Sequence, residues 1–282
     1  MKKGLILEGG AMRGLFSCGV CDVFMEEGIV FDGAVGVSAG AAFGCNYKSK
    51  QIGRAARYNI KYASDPRFCS IRNLIKTGDM FGVDFCYRQI PFELDIFDTK
   101  TFTDDPMEFY TVSTDCETGK AVYHKCHDGL GDDLLHIRAS ASLPLVSKMV
   151  EVSGKKLLDG GIADSVPLRF FESIGYDRNI IILTQPEGYQ KEKSSLLPLI
   201  KLTQRKYPAV YEGMKNRHNV YNETLKYIEE QENEGKVYVI RPFEALPIKR
   251  MEREPEILKK VYELGRQAGL DHLSSARAFL EK

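Results

Sequence analysis

The sequence predicts an α/β fold built on a mostly parallel sheet, with a mainly helical C-terminal part. Short continuous apolar runs such as "GLILE", "GAVGVS" and "NIIILTQP" have the character of strands covered on both faces. Segments with apolar residues at helical spacing alternate with them, so the first fifty residues read strand, helix, strand, helix. Beyond residue 208 helical patterning dominates, interrupted by one apolar run.

In chain order, residues 4–8 predict the first strand. From Arg13 to Glu27 the residues Leu15, Phe16, Val20, Val23 and Phe24 recur at helical spacing, and Gly28 ends the helix. "GAVGVS" is the second strand and Ala39 to Tyr47 the second helix. Residues 51–77 read as helical and basic, and 78–107 as irregular and rich in aromatics. "FYTVSTD" and "KAVYH" predict strands joined by the turn "CETG". "GDDLLHIRASASLP" predicts a helix ending near Pro144, and "KMVEVSGKKLLDGG" a hairpin turning at Ser153-Gly154. "NIIILTQP" is a buried strand, 208–234 a long helix, "KVYVIRP" a last strand and 254–281 helical, with Pro255 in a first turn.

Lys+Arg and Asp+Glu balance at 39 each, which argues against a nucleic-acid binder with its usual basic excess. At 43% hydrophobic and 28% charged, the 282 residues can bury a sizeable core. The apolar run at the N-terminus stops at Glu8, too short for a signal peptide, and no stretch has the length of a bilayer span. Seven scattered cysteines fit a reducing compartment, so a cytoplasmic location is expected. Cys18 and Cys21 form a C-x-x-C, but within an apolar helix they read as packing residues, and no metal is expected.

Two glycine-rich turns carry the chemistry. "GGAMRG" follows the first strand and opens a helix, where unpartnered N–H groups and the helix dipole favour an anion. It suits an oxyanion, and equally a phosphate in a degraded dinucleotide fingerprint with Asp32 as the ribose-binding acid. Arg13 opposes the dipole, so it serves either an anionic ligand or a carboxylate such as Glu8. "GVSAG" places Ser38 in a sharp strand-to-helix turn, with Gly36 and Gly40 small because the two arms nearly touch. A serine nucleophile needs a base. None of His124, His127, His136, His218 and His272 has a glycine-rich or strand-end setting. Asp159 does, ending a strand before Gly160 and Gly161, which is expected to leave its carboxylate exposed at a sheet edge. A Ser-Asp-His hydrolase using His218 or His272, a nucleotide-binding protein and a lipid binder with a vestigial site remain alternatives.

The ordered set G-G-x-x-R-G, G-x-S-x-G and D-G-G, together with "ASASLP" at residues 139–144, resembles the patatin-like phospholipase family from Gly4 to about Pro167. The resemblance implies a three-layer sandwich and a serine acyl hydrolase with a Ser38–Asp159 dyad, no histidine and no cofactor. Its oxyanion loop falls on Gly9, Gly10, Ala11, Arg13 and Gly14, with the amides near Gly10 and Ala11 as donors. Its substrate is a lipid or fatty-acyl ester, reached through transient contact with a membrane surface. Residues 1–185 become the catalytic domain, and 186–282 a helical region packed on it without independent folding. Glu8 and Ala11 depart from the family's usual Asp and third Gly, but alanine still offers its N–H, so the oxyanion hole is expected to survive if Ala11 has a negative φ. The aromatic stretch 78–107 covers an acyl groove, touches a membrane or packs in the core. The tail beyond about residue 190 carries no family motif.

Overall fold

The computed structural model describes all 282 residues. An eight-stranded sheet lies between two layers of helices, in the order β5-β6-β3-β2-β1-β7-β8 with β4 also paired to β3. Its strands are β1 (Lys2–Leu7), β2 (Gly33–Val37), β3 (Glu108–Asp115), β4 (Ala121–Cys126), β5 (Val150–Val152), β6 (Lys155–Asp159), β7 (Tyr176–Ile182) and β8 (Val237–Ile240). The helices are α1 (Gly14–Glu26), α2 (Ala39–Lys48), α3 (Arg54–Tyr62), α4 (Ile71–Thr77), α5 (Thr99–Asp104), α6 (Gly131–Ser140), α7 (Leu168–Ser173), α8 (Leu197–Thr203), α9 (Pro208–Asn233) and α10 (Pro255–Glu281).

Strand pairing is parallel from β3 through β2, β1 and β7 to β8, and antiparallel where β4 and β6 meet β3 and where β5 meets β6. Side chains along a strand alternate between faces, and the two cores show it. Leu5 and Leu7 join Phe16, Phe24, Val261 and Phe279 on the face of α1 and α10. Ile6, Val35 and Val37 join Leu168, Phe171 and Tyr221 on the face of α7 and α9. No helix is long and apolar enough to cross a membrane.

The structure corrects several expected elements. Residues 51–77 are two helices, α3 and α4, separated by a break that contains Pro66. The 78–107 stretch is more regular than expected: Phe85–Leu94 is a wide π-helical segment with Pro91 inside it, followed by α5. Proline removes one hydrogen-bond donor and hides the helical period from the sequence. The short helices α7 and α8 are additions. Phe85, Phe97 and Phe102 are buried, so much of the aromatic stretch is core. Cys18 and Cys21 pack inside α1, where burial pushes both thiols up.

The first and last helices touch backbone to backbone. A Cβ on Gly19 would lie 2.3 Å from the Tyr262 carbonyl oxygen, and one on Gly265 would lie 2.0 Å from that of Phe16. Neither obstacle is a flexible side chain, so the helices must separate to admit a larger residue. Gly265→Val should destabilise the protein by about 3 kcal/mol or more, the upper end for overpacking. An unchanged midpoint in thermal or urea unfolding would refute this packing.

Candidate active site

β1 lies at the centre of the parallel strands, and the chain leaves it for β2 on one side and reaches β7 on the other. The carboxyl ends of strands at such a reversal form a crevice where ligands bind in open α/β sheets. Each glycine turn starts at one of these strand ends. Gly9 to Gly14 follow β1, Ser38 follows β2, and Thr184 lies just beyond the end of β7. Glu8, only 1% exposed, ties the first and last together. It accepts from the Thr184 amide at 2.5 Å, the Thr184 hydroxyl at 3.0 Å and the Tyr221 hydroxyl at 2.5 Å.

Ser38 has φ +56° and ψ −119°, a conformation that costs a non-glycine residue of order 1–3 kcal/mol and concentrates at functional sites. Its amide donates to Ser140 Oγ at 2.9 Å, and that hydroxyl donates to the Val112 carbonyl at 2.5 Å. The turn closes only because its arms are bare. A Cβ on Gly36 would lie 2.2 Å from the Gly40 carbonyl oxygen, and one on Gly9 would lie 2.8 Å from Ser38 Cβ.

Asp159 ends β6 and shares a pocket with Ser38, Gly9, Gly10, Ala11, Arg13 and Gly161. Contrary to expectation its carboxylate is not exposed: the residue is 1% exposed, because β6 is flanked by β5 and β3 rather than forming an edge. Oδ1 accepts from the Gly161 amide at 2.8 Å, while Oδ2 is buried with no hydrogen-bond partner. Burial raises its pKa, opposed first by the charge of Arg217 and then by the Ser38 hydroxyl and the Gly161 amide. Ser38 is thus near enough to act on the carboxylate, although no hydrogen bond of ordinary geometry joins them. Such contacts are often long in ligand-free enzymes.

The loop after β1 also differs from expectation. Ala11 has φ +49°, not a negative value. The turn closes with the Arg13 amide donating to the Gly10 carbonyl at 3.1 Å, and a left-handed residue at its head costs an alanine about 1–2 kcal/mol. The amides of Gly9, Gly10 and Ala11 donate to no protein acceptor. Arg13 Nε is buried without a partner, and burial lowers its pKa against the pull of Glu8. No ion pair joins Arg13 to Glu8.

Ser38 faces two different spaces. On one side is a cavity of about 170 Å³, with 21 of its 30 lining residues hydrophobic, among them Phe81, Tyr87, Phe92 and Phe97. On the other is the small polar pocket of Asp159, which also holds Lys191, Arg217 and Arg250. The sequence pointed to none of these three cations, which lie in the tail without a motif. Lys191 and Arg250 follow buried strands, but Arg217 sits within α9 and carried no signal.

The competing site residues lie elsewhere. Asp32 sits before β2, at the opposite end of the strands from the glycine loop, and accepts from the Lys3 amide at 2.7 Å, which removes the ribose-binding role. No histidine lines either space at Ser38. His272 bonds the Tyr238 hydroxyl at 2.7 Å, and His124 stacks on His136. His124, Cys126 and Asp133 present ligand atoms within 4.8 Å of one another. Asp133 is already engaged there, by His124 and by the amides of residues 127, 128 and 129, which makes it a loop anchor.

Residues 5–171 match the model of the patatin-like phospholipase family, and residues 207–281 match a domain of unknown function, DUF6363. YjjU of Escherichia coli K12, described as uncharacterized, is 26% identical over 98% of this chain and 78% of its own length. The lysophospholipase nte1 of Emericella nidulans is 29% identical over 70% of this chain, which spans only 13% of that protein. VipD from Legionella pneumophila superimposes with a TM-score of 0.46 at 12% identity, covering 98% of this chain and 67% of that one. With the family model spanning more than half its length and the ordered motifs gathered where the parallel strands end, this chain belongs to the patatin-like phospholipase family.

Proposed function

We propose that the protein is a serine-dependent lipid acyl hydrolase that cleaves carboxylic esters with Ser38 as nucleophile and Asp159 as base. The observation that carries the reading is Ser38 held at positive φ between an apolar cavity and a buried carboxylate with one unpartnered oxygen. In this reaction the Ser38 oxygen bonds to the ester carbonyl carbon as its proton passes to Asp159 Oδ2. The free amides of Gly10 and Ala11 hold the oxyanion, aided by the charge of Arg13. Asp159 returns the proton to the departing alkoxide. It then takes a proton from water as the water oxygen attacks the acyl carbon, and passes that proton to the Ser38 oxygen as the acyl–serine bond breaks and the fatty acid leaves.

The family membership and the lysophospholipase relative support a lipid substrate. Exposed apolar side chains on α4 support contact with a membrane: Ile71 and Ile75, one helical turn apart, are 68% and 79% exposed. We take residues 1–185 as the catalytic part and 186–282 as a region that does not fold alone, a view supported by the fit of α10 on α1.

A fluorophosphonate should label Ser38, identified by peptide mapping, and block hydrolysis of a long-chain ester. Label on another serine refutes the assignment. The pH dependence follows from Asp159. A base works only when deprotonated, and burial raises this carboxyl's pKa. The rate constant kcat/KM should therefore rise with pH through a value above the ordinary 3.8 and fall away in acid. An acid limb at or below the ordinary aspartate range would count against Asp159 as base.

A further inference from the structure

The polar pocket beside Ser38 gathers four cations from four separate segments. Arg13 follows β1, Lys191 follows β7, Arg217 lies on α9 and Arg250 follows β8. The pocket's only carboxylates are Glu8 and Asp159, leaving a formal excess of two positive charges. None of the four cations belongs to any ion pair in the molecule. Glu8 accepts three hydrogen bonds from neutral donors and none from the cations, so it offers them charge alone. Arg217 donates only to the Gly161 carbonyl, and the Lys191 ammonium lies 4.0 Å from the centre of the Tyr221 ring. Arg250 stands exposed at the mouth, where its carbonyl accepts from the Met12 amide at 3.4 Å.

Like charges collected without pairing repel, and an anion relieves them. Lys191 shows the cost: burial, reinforced by Arg217, Arg250 and Arg13 against Glu8, pulls its pKa down to about 7. The pocket holds about 40 Å³. A single water needs roughly 10–15 Å³ on this scale, so there is room for a compact oxyanion and none for an acyl chain. Ala11, Ser38 and Leu143 line both this pocket and the apolar cavity, so an ester at Ser38 projects one arm into each.

We infer that this pocket receives a phosphate on the alcohol side of the substrate, making the preferred substrate an acyl ester of a glycerol phosphate with a terminal phosphomonoester. The inference rests on the hydrolase reading above. A phosphomonoester carries about −1.5 to −2 charges near neutral pH, matching the excess of the pocket. A choline group on the same phosphate brings a further cation among four others, so the site selects against it. Lys191, Arg217 and Arg250 all lie beyond residue 185. Selection of the headgroup thereby becomes the task of the C-terminal region, most of which matches a domain of unknown function.

The test uses the full chain and three esters of one acyl length: an acylglycerol 3-phosphate, an acylglycerophosphocholine and an uncharged monoacylglycerol. The kcat/KM for the phosphomonoester should exceed that for the uncharged ester by tenfold or more. The Lys191→Ala/Arg250→Ala variant should lower that ratio at least tenfold. If the double variant does not fold, Arg250→Ala alone, at an exposed side chain, should lower the ratio severalfold. A second arm measures glycerol 3-phosphate and inorganic phosphate binding to the Ser38→Ala protein by calorimetry. Glycerol 3-phosphate should bind with proton uptake near pH 7 as Lys191 regains its charge, and the uptake should vanish without Lys191. Hydrolysis that depends on Ser38 but shows no phosphate preference overturns the headgroup assignment and leaves the hydrolase reading standing. Inorganic phosphate that binds as well as the glycerol ester, without competing with substrate, marks a free-anion site and overturns it too. Hydrolysis of none of the esters, with glycerol 3-phosphate still bound, overturns the hydrolase reading and the substrate assignment with it.

Discussion

Ser38→Ala should leave a folded protein that neither takes up a fluorophosphonate nor hydrolyses esters, with a loss in kcat on the order of 10⁴–10⁶-fold. The side-chain oxygen makes no hydrogen bond of ordinary geometry, and the Ser38 amide keeps its bond to Ser140 whatever the side chain. Alanine retains the Cβ, so the backbone stays at positive φ and the melting temperature should hardly move. Ser38→Gly makes a useful companion: glycine adopts φ +56° without strain, so it should be equally inactive yet more stable by roughly 1 kcal/mol. Appreciable activity in either variant would remove Ser38 from the chemistry and the proposed mechanism with it.

Asp159→Asn should cost on the order of 10²–10⁴-fold, the usual contribution of a positioned base, while the protein remains folded. An amide oxygen can still accept from the Gly161 amide, so the turn after β6 keeps its anchor. What goes is the capacity of Oδ2 to take a proton from Ser38. Neither His218 nor His272 lines the spaces at Ser38, so replacing each by Gln should leave most of the rate. The asparagine and glutamine results must be weighed together, because an aspartate that only orients a histidine would also matter. A large loss in a histidine variant at unchanged melting temperature would replace the dyad by a triad.

The parts of this molecule legible in its sequence are those where backbone geometry dictates residue type. Buried parallel strands demand unbroken apolar runs, and turns in which an added Cβ would lie about 2 Å from backbone admit only glycine, so β1, β2, Gly36 and Gly40 announce themselves. Burial that depends on distant partners left no local trace. The hairpin of β5 and β6 was readable, but not that β6 would pair with β3 and enclose Asp159. Ala11 looked like a tolerable substitute for glycine, and only the closed turn shows that it sits in the left-handed region. Lys191, Arg217 and Arg250 converge from three elements without a shared motif, so no linear pattern could group them.

The contact between α1 and α10 has a consequence for synthesis. The ribosome delivers α1, Ser38 and Asp159 long before the residues that hold them in place. β1 waits for β7, Glu8 for Tyr221, and Gly19 for Gly265 of α10. Contacts this distant in sequence form late and slowly. Ser38 and Asp159 are therefore present on the nascent chain well before the pocket that joins them exists. A chain that stops short of α10 carries Ser38 and Asp159 without the packing that holds them together.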